Sequence, residues 1–175
     1  MSGASGRSRR AWGWHRLADE WAARIVAGAA IRPGELVLDI GAGTGALTGP
    51  LVRAGARVVA VELHPRRAEL LRRRFRDVTV IQADAVSLRL PARPFRVVAS
   101  PPYGVTARLL ELLLAPGTRL TAADLVLQRA VVRRYASGSR SRVRAYRMSA
   151  GLAVPRQAFL PPPRVDSAVL VVRRR

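Results

Sequence analysis

The stretch Asp39-Ile-Gly-Ala-Gly-Thr-Gly-Ala46, DIGAGTGA, decides the architecture. It follows a short apolar run, ELVLDI at 35–40, and opens a segment, Ala46 to Ala54, with helical character. Gly41, Gly43 and Gly45 let the backbone turn sharply and come close to a ligand. The helix N-terminus behind them offers free amides and positive potential. With Ala46 the loop satisfies G-x-G-x-x-G/A, the pattern of nucleotide-binding turns. A ligand-free strand-to-helix turn is the plain alternative. Glu62, closing the next strand, argues against it, because a carboxylate there accepts hydrogen bonds from ribose hydroxyls.

The chain outward from this loop repeats the same alternation. ELVLDI (35–40), RVVAVE (57–62), VTVIQ (78–82), FRVVAS (95–100) and ADLVLQ (123–128) read as buried strands. Between them, Leu17 to Ala30, Ala46 to Ala54, Pro65 to Phe75 and Val105 to Leu114 read as helices. Nearly continuous apolar strands separated by helices predict a parallel sheet covered on both faces. After about residue 150 no helical pattern remains. FLPPPRVDSAVLVVRRR (159–175) carries a proline turn and a last strand, Ala168 to Val172, so a strand pair is expected to close the sheet. Residues 1–11 are expected to form a flexible basic tail and 12–175 one domain.

Composition limits the chemistry. There is no cysteine, which excludes disulfides, thiolate catalysis and Cys-based zinc sites and suits a cytoplasmic setting. Two histidines, His15 and His64, are too few for most metal centres. The start is polar and basic, without the apolar core of a signal peptide, and no apolar run reaches a membrane-spanning length. The formal net charge is +20, and all 31 Lys+Arg residues are arginine. Such a surface attracts polyanions, and arginine forks onto phosphates, so nucleic acid is the expected partner class. Codon bias is the bland source of the arginines.

Two more carboxylates mark the nature of the ligand. Asp39, two residues before Gly41, suits a ligand bearing an amino acid group, whose ammonium it can orient. Asp84, ending the third strand in IQAD, can accept from an adenine amino group; it can equally cap a turn. D-x-G-x-G-x-G, then Glu62, then Asp84 at successive strand ends resembles the S-adenosylmethionine methyltransferases. That resemblance implies S-adenosylmethionine as cofactor and a Rossmann-like α/β fold with a mostly parallel seven-stranded sheet, an antiparallel last strand and helices on both faces.

Ser100-Pro101-Pro102-Tyr103 then falls at the carboxyl end of the fourth strand, where open α/β sheets bind their ligands. It resembles the (Asn/Asp/Ser)-Pro-Pro-(Tyr/Phe) signature of enzymes that methylate exocyclic amines of bases. An oxygen at Ser100 and the carbonyl of Pro101 can accept both N–H bonds of an amine, localise its lone pair and aim it. Tyr103 offers a face for the base to stack on, and the prolines stiffen the turn. A surface proline turn with a buried tyrosine is the alternative.

Taken whole, residues 12–173 resemble the rRNA adenine N6-methyltransferases, and within them the Erm group, which confers macrolide, lincosamide and streptogramin resistance. LQRAVVRR (127–134) and FLPPPRVDSAV (159–169) support this, the second matching the family's Phe-x-Pro-x-Pro-x-Val-x-Ser. The resemblance implies 23S rRNA as partner, protein-free or partly assembled, a single adenine in the peptidyl-transferase loop as target, and a monomeric enzyme. It implies Ser100, Pro101 and Tyr103 as catalytic residues. Trp14, Asp39, Gly41, Gly43, Gly45, Glu62, Asp84 and Ser100 are implied at the cofactor.

The chain departs from the family in three ways. Ser100 stands where the family usually has Asn, and Ser-Pro-Pro-Tyr is commoner among DNA cytosine N4-methyltransferases. Gly13-Trp14-His15 falls on the family's Gln-Asn-Phe segment, placing Trp14 against the cofactor or in a lid or core role beside Trp12. No helical domain is expected after the last strand, so RNA contacts are expected from Arg7, Arg9 and Arg10, from Arg140, Arg142, Arg144 and Arg147, and from Arg173 to Arg175, with looser target choice. The rival readings are a 16S rRNA adenine dimethyltransferase, an amino-methyltransferase acting on DNA cytosine or a protein nitrogen, and an inactive RNA-binding relative.

Overall fold

The computed structural model describes residues 14–138 and 145–175. The basic tail with Arg7, Arg9 and Arg10, the Trp12-Gly13 pair, and Arg140, Arg142 and Arg144 lie outside the described residues.

Nine strands and five α-helices follow in chain order among the described residues: β1 (Arg16–Leu17), α1 (Asp19–Ala29), β2 (Leu36–Ile40), α2 (Thr48–Arg53), β3 (Arg57–Glu62), α3 (Pro65–Arg74), β4 (Thr79–Gln82), β5 (Phe95–Ala99), α4 (Thr106–Leu113), β6 (Leu120–Gln128), α5 (Arg129–Ala136), β7 (Tyr146–Val154), β8 (Phe159–Leu160) and β9 (Ser167–Arg174). Seven of the strands form one sheet in the order β4-β3-β2-β5-β6-β9-β7. β4 through β6 run parallel, and β9 inserts antiparallel between β6 and β7. The expected architecture, including the antiparallel last strand, is what the chain adopts. A second, two-stranded sheet joins β1 to β8, pairing Leu17 with Phe159.

Strand alternation builds two apolar layers. Val37, Val58, Ala60, Val98 and Val126 face α1, α2 and α3, packing on Ala22, Ile25, Leu51 and Leu71. Leu38, Ile40, Val61, Val97 and Leu125 point the other way, onto Leu109, Leu110 and Leu113 of α4 and Val132 of α5. Both faces being covered explains why β2 and β5 read as unbroken apolar runs.

The exceptions are at the edges and at one charged position. β4 is an outer strand, and Ile81 is 38% exposed, so VTVIQ is not the buried strand its composition indicates. α5 and β7 had no clear signal. α5 is short and carries three arginines, and β7 is the opposite outer strand with most of its residues exposed. Arg96 sits inside β5 with only 8% exposure. Its guanidinium donates to the Ala29 and Ala30 carbonyls at the end of α1 and pairs with Glu35 at 3.1 Å and Asp124 at 3.6 Å. Arg173 pairs with the other Asp124 oxygen at 2.9 Å. A buried charge is tolerable only with such partners.

Candidate active site

The carboxyl ends of β2, β3, β4 and β5 meet the glycine loop and the Ser100–Tyr103 turn. Three adjoining cavities open there, and Trp14 is a wall of each. The first also touches Asp39, Gly41, Ala42, Thr44 and Ser100. The second touches Gly41, Glu62, Ala83, Asp84 and Pro102. The third is enclosed by His15, Ser100, Pro101, Pro102, Tyr103 and Phe159.

Each loop glycine has its own reason. All three have positive φ: +76° at Gly41, +59° at Gly43 and +96° at Gly45. A Cβ at Gly41 would lie 3.3 Å from Pro102 Cδ and 3.4 Å from Pro101 Cα. One at Gly43 would lie 2.7 Å from Trp14 Nε1. One at Gly45 would strike the Phe75 ring. The first glycine admits the proline turn, the second admits the indole, and the third packs the loop on the residue capping α3.

Asp39 is 1% exposed, on the β2 face that looks toward α2. Its Oδ2 accepts from Thr48 Oγ1 at 2.7 Å, while Oδ1 is buried without a hydrogen-bond partner. Burial pushes its pKa up to about 7, against a smaller opposing effect of the Thr48 bond. An orphan carboxylate oxygen at a cavity wall fits a ligand that brings its own donor or positive charge. This is the observation that matches an ammonium-bearing cofactor.

Glu62 is buried and already engaged. Oε2 accepts from the Gly43 amide at 2.8 Å and Oε1 from the His64 amide at 2.9 Å, with Arg67 at 3.6 Å. It therefore ties the glycine loop to β3, and its remaining lone pairs are what it can offer a ribose. Asp84 accepts from the Val86 amide at 3.1 Å, so it caps its turn and also borders the second cavity. Arg67 stacks over the Trp14 ring at 4.7 Å, fixing the indole on the loop from the other side.

At the third cavity, the Tyr103 hydroxyl meets Ser167 Oγ at 2.7 Å. Burial raises the Tyr103 pKa, the serine bond opposing it. His15 Nδ1 donates to the Pro161 carbonyl at 2.7 Å, and its ring lies 6.1 Å from that of Tyr103.

All ten residues named from the sequence thus border one cleft or build its loop. His15 entered only as the last residue of the segment that falls on the family's Gln-Asn-Phe, and Thr48, Phe159 and Ser167 were not named as site residues. The Phe-x-Pro-x-Pro-x-Val-x-Ser match contained the last two, but only the packing shows where they point. The arginines fall differently. Arg147, Arg173 and Arg174 sit where β6 begins, at the opposite end of the sheet from the cleft. Arg173 is held by Asp124, and Arg174 donates to the Thr118 and Leu120 carbonyls. An open groove at the carboxyl end of β6 instead gathers Arg129, Arg133, Arg156 and Arg164 with a single acid, Asp166.

Comparison with known proteins agrees with this geometry. Residues 7–175 match the family described as ribosomal RNA adenine dimethylase. A ribosomal RNA small subunit methyltransferase A from Leptothrix cholodnii is 36% identical over 93% of this chain and 66% of its own length. The mycinamicin-resistance protein MyrB of Micromonospora griseorubida is 37% identical over 79% of this chain and 47% of its own length. The crystal structure of the 23S rRNA methyltransferase ErmE superposes with a TM-score of 0.83 at 33% identity, covering 91% of this chain and 69% of that one. The chain spans about two thirds or less of the length of these curated relatives. Fold, loop chemistry and sequence match together make this chain a member of the ribosomal RNA adenine dimethylase family.

Proposed function

We propose that the chain methylates the exocyclic N6 amine of an adenine in 23S rRNA, using S-adenosylmethionine, and so protects ribosomes from macrolide-type drugs. The observation that carries this reading is the contact between Gly41 and the Pro101-Pro102 pair. It sets the Ser100–Tyr103 turn directly against the glycine loop, with Ser100 bordering both the first and the third cavity.

Asp39 Oδ1 would take the cofactor's ammonium, Glu62 a ribose hydroxyl, and the Asp84 region the adenine. When bound, the cofactor supplies a methyl group on a sulfonium. The residues of the turn prepare the other reactant. Ser100 Oγ and the Pro101 carbonyl accept the two amine hydrogens, so the nitrogen lone pair is drawn out of the ring. The two prolines stiffen the backbone that carries these acceptors. Tyr103 carries the base on its face. The arginine groove beside Gln128 takes the RNA backbone, whose phosphates match guanidinium forks.

The 16S reading is the second one, favoured by the small-subunit methyltransferase among the relatives. The purified chain, labelled S-adenosylmethionine and protein-free 23S RNA, 16S RNA and duplex DNA separate the possibilities. N6-methyladenosines from 23S RNA alone are expected. Label confined to 16S RNA transfers the assignment to the small subunit, and label in DNA or in none of the three overturns it.

A further inference from the structure

We propose that Arg67 is a positioning residue for the nucleoside half of the cofactor, setting Trp14 and Glu62 at once. The inference rests on the S-adenosylmethionine reading above and concerns a residue outside the glycine loop and the Ser100–Tyr103 turn.

Arg67 stands in the first turn of α3, just after Pro65. A cation there opposes the helix dipole, so the helix gains nothing from it. Its neighbour Arg66 lies in solvent, which screens that cost. Arg67 does not. Its side chain is only 16% exposed and borders the second cavity with Trp14, Glu62 and Asp84. Nε faces Glu62 Oε1 at 3.6 Å, while Cζ sits 4.7 Å over the Trp14 ring. A planar guanidinium can serve a carboxylate and an aromatic face together.

These contacts close a ring. Arg67 holds Trp14, and Trp14 Nε1 lies so near Gly43 that a Cβ there would be 2.7 Å away. The Gly43 amide donates to Glu62 Oε2 at 2.8 Å, and Glu62 faces Arg67 again. The ring joins the stretch before β1, the glycine loop, the end of β3 and α3. The 3.6 Å separation is too long for a hydrogen bond, so Arg67 attracts the carboxylate without taking a lone pair. Those lone pairs stay available to a ribose. Trp14 is a wall of all three cavities, so where Arg67 holds the indole shapes the cleft.

The test is calorimetry with S-adenosylhomocysteine, and a thermal melt, on the wild type, Arg66→Met, Arg67→Met, Arg67→Lys, Trp14→Ala, and Arg67→Met combined with Trp14→Ala. Arg67→Met is expected to weaken affinity about tenfold, through loss of a partly desolvated cation–π contact and an ion pair. Arg66→Met, the same charge change one residue away, is expected to bind like the wild type. Arg67→Lys should recover part of the affinity, because an ammonium keeps the charge without the planar fork. The combined variant should lose less than the product of its two single losses, as members of one unit do. Wild-type affinity in Arg67→Met overturns the proposal, whatever its melting temperature. So does an equal loss in Arg66→Met, or single losses that simply multiply. Should the methionine variant not fold, Arg67→Gln carries the same expectations and the same refutations. A wild type that binds no S-adenosylhomocysteine overturns the cofactor reading as well.

Discussion

The Tyr103 hydroxyl and Ser167 Oγ, 2.7 Å apart, join the two most distinctive motifs of the chain. One is the turn after β5, and the other is the head of the antiparallel strand β9. The serine of the C-terminal motif thus has a physical role: it sets where the tyrosine ring stands beside Ser100.

Removing that bond should cost both stability and activity, and leave cofactor binding alone. Ser167→Ala leaves a partly buried hydroxyl unpaired, so a destabilisation of about 1–3 kcal/mol is expected. The ring loses its hydroxyl anchor, and kcat/KM for RNA should fall about tenfold, one stack's worth. Cofactor affinity should not move. Steady-state kinetics, calorimetry and a thermal melt on the same preparation check all three.

Asp39 should make cofactor affinity depend on pH. Its pKa is raised to about 7 by burial, so below that pH it is mostly protonated and has no charge to offer an ammonium. Affinity for S-adenosylmethionine should therefore rise from pH 6 to pH 7.5, and Asp39→Asn should be weaker and flat across that range. The sign for folding is opposite. An acid whose folded pKa lies above its unfolded value holds more protons when folded, so its contribution to stability is full below about pH 4 and is lost as pH climbs toward 7. Melting curves from pH 4 to 7.5 should show a smaller decline in the Asn variant.

Gly41→Ala should be damaging twice over. A left-handed backbone costs an L-residue about 1–2 kcal/mol, and the new methyl presses on the Pro101-Pro102 pair at 3.3–3.4 Å. Loss of cofactor binding by more than tenfold is expected, because the first and second cavities share this residue. Isothermal titration with S-adenosylhomocysteine reads it directly.

Asp124 tests whether the far end of the sheet is only structural. It is buried and holds both Arg96 and Arg173. Asp124→Ala removes the carboxylate of Arg173 and the longer of the two ion pairs of Arg96, while Glu35 and the Ala29 and Ala30 carbonyls remain, and a loss of about 1–3 kcal/mol is expected. Cofactor affinity of the folded fraction should match the wild type, since Asp124 lies away from the carboxyl ends that form the cleft.

The arginine groove predicts a salt response. If Arg129, Arg133, Arg156 and Arg164 each neutralise a phosphate of unpaired RNA, each replacement by alanine should reduce the slope of log K against log salt by about 0.7. Arg173→Ala and Arg174→Ala should leave the slope unchanged. Filter binding at a series of salt concentrations measures both sets.

The sequence by itself determined the layered α/β order and the cleft. Those features are local: glycine spacing, apolar runs and a carboxylate at a strand end act within a few residues of one another, and a sheet with both faces covered leaves its strands no other composition. It did not determine the outer strands. β4 and β7 are half exposed, so burial imposes no apolar pattern on them to read. Nor did it determine what happens between distant segments. That Arg96 is buried against Glu35, that His15 is held by Pro161 and that Ser167 anchors Tyr103 depend on contacts between residues 61 to 146 positions apart, and the arginine groove joins α5 to the segments before and after β8. Such contacts follow from how the layers pack, and chain order leaves no trace of them.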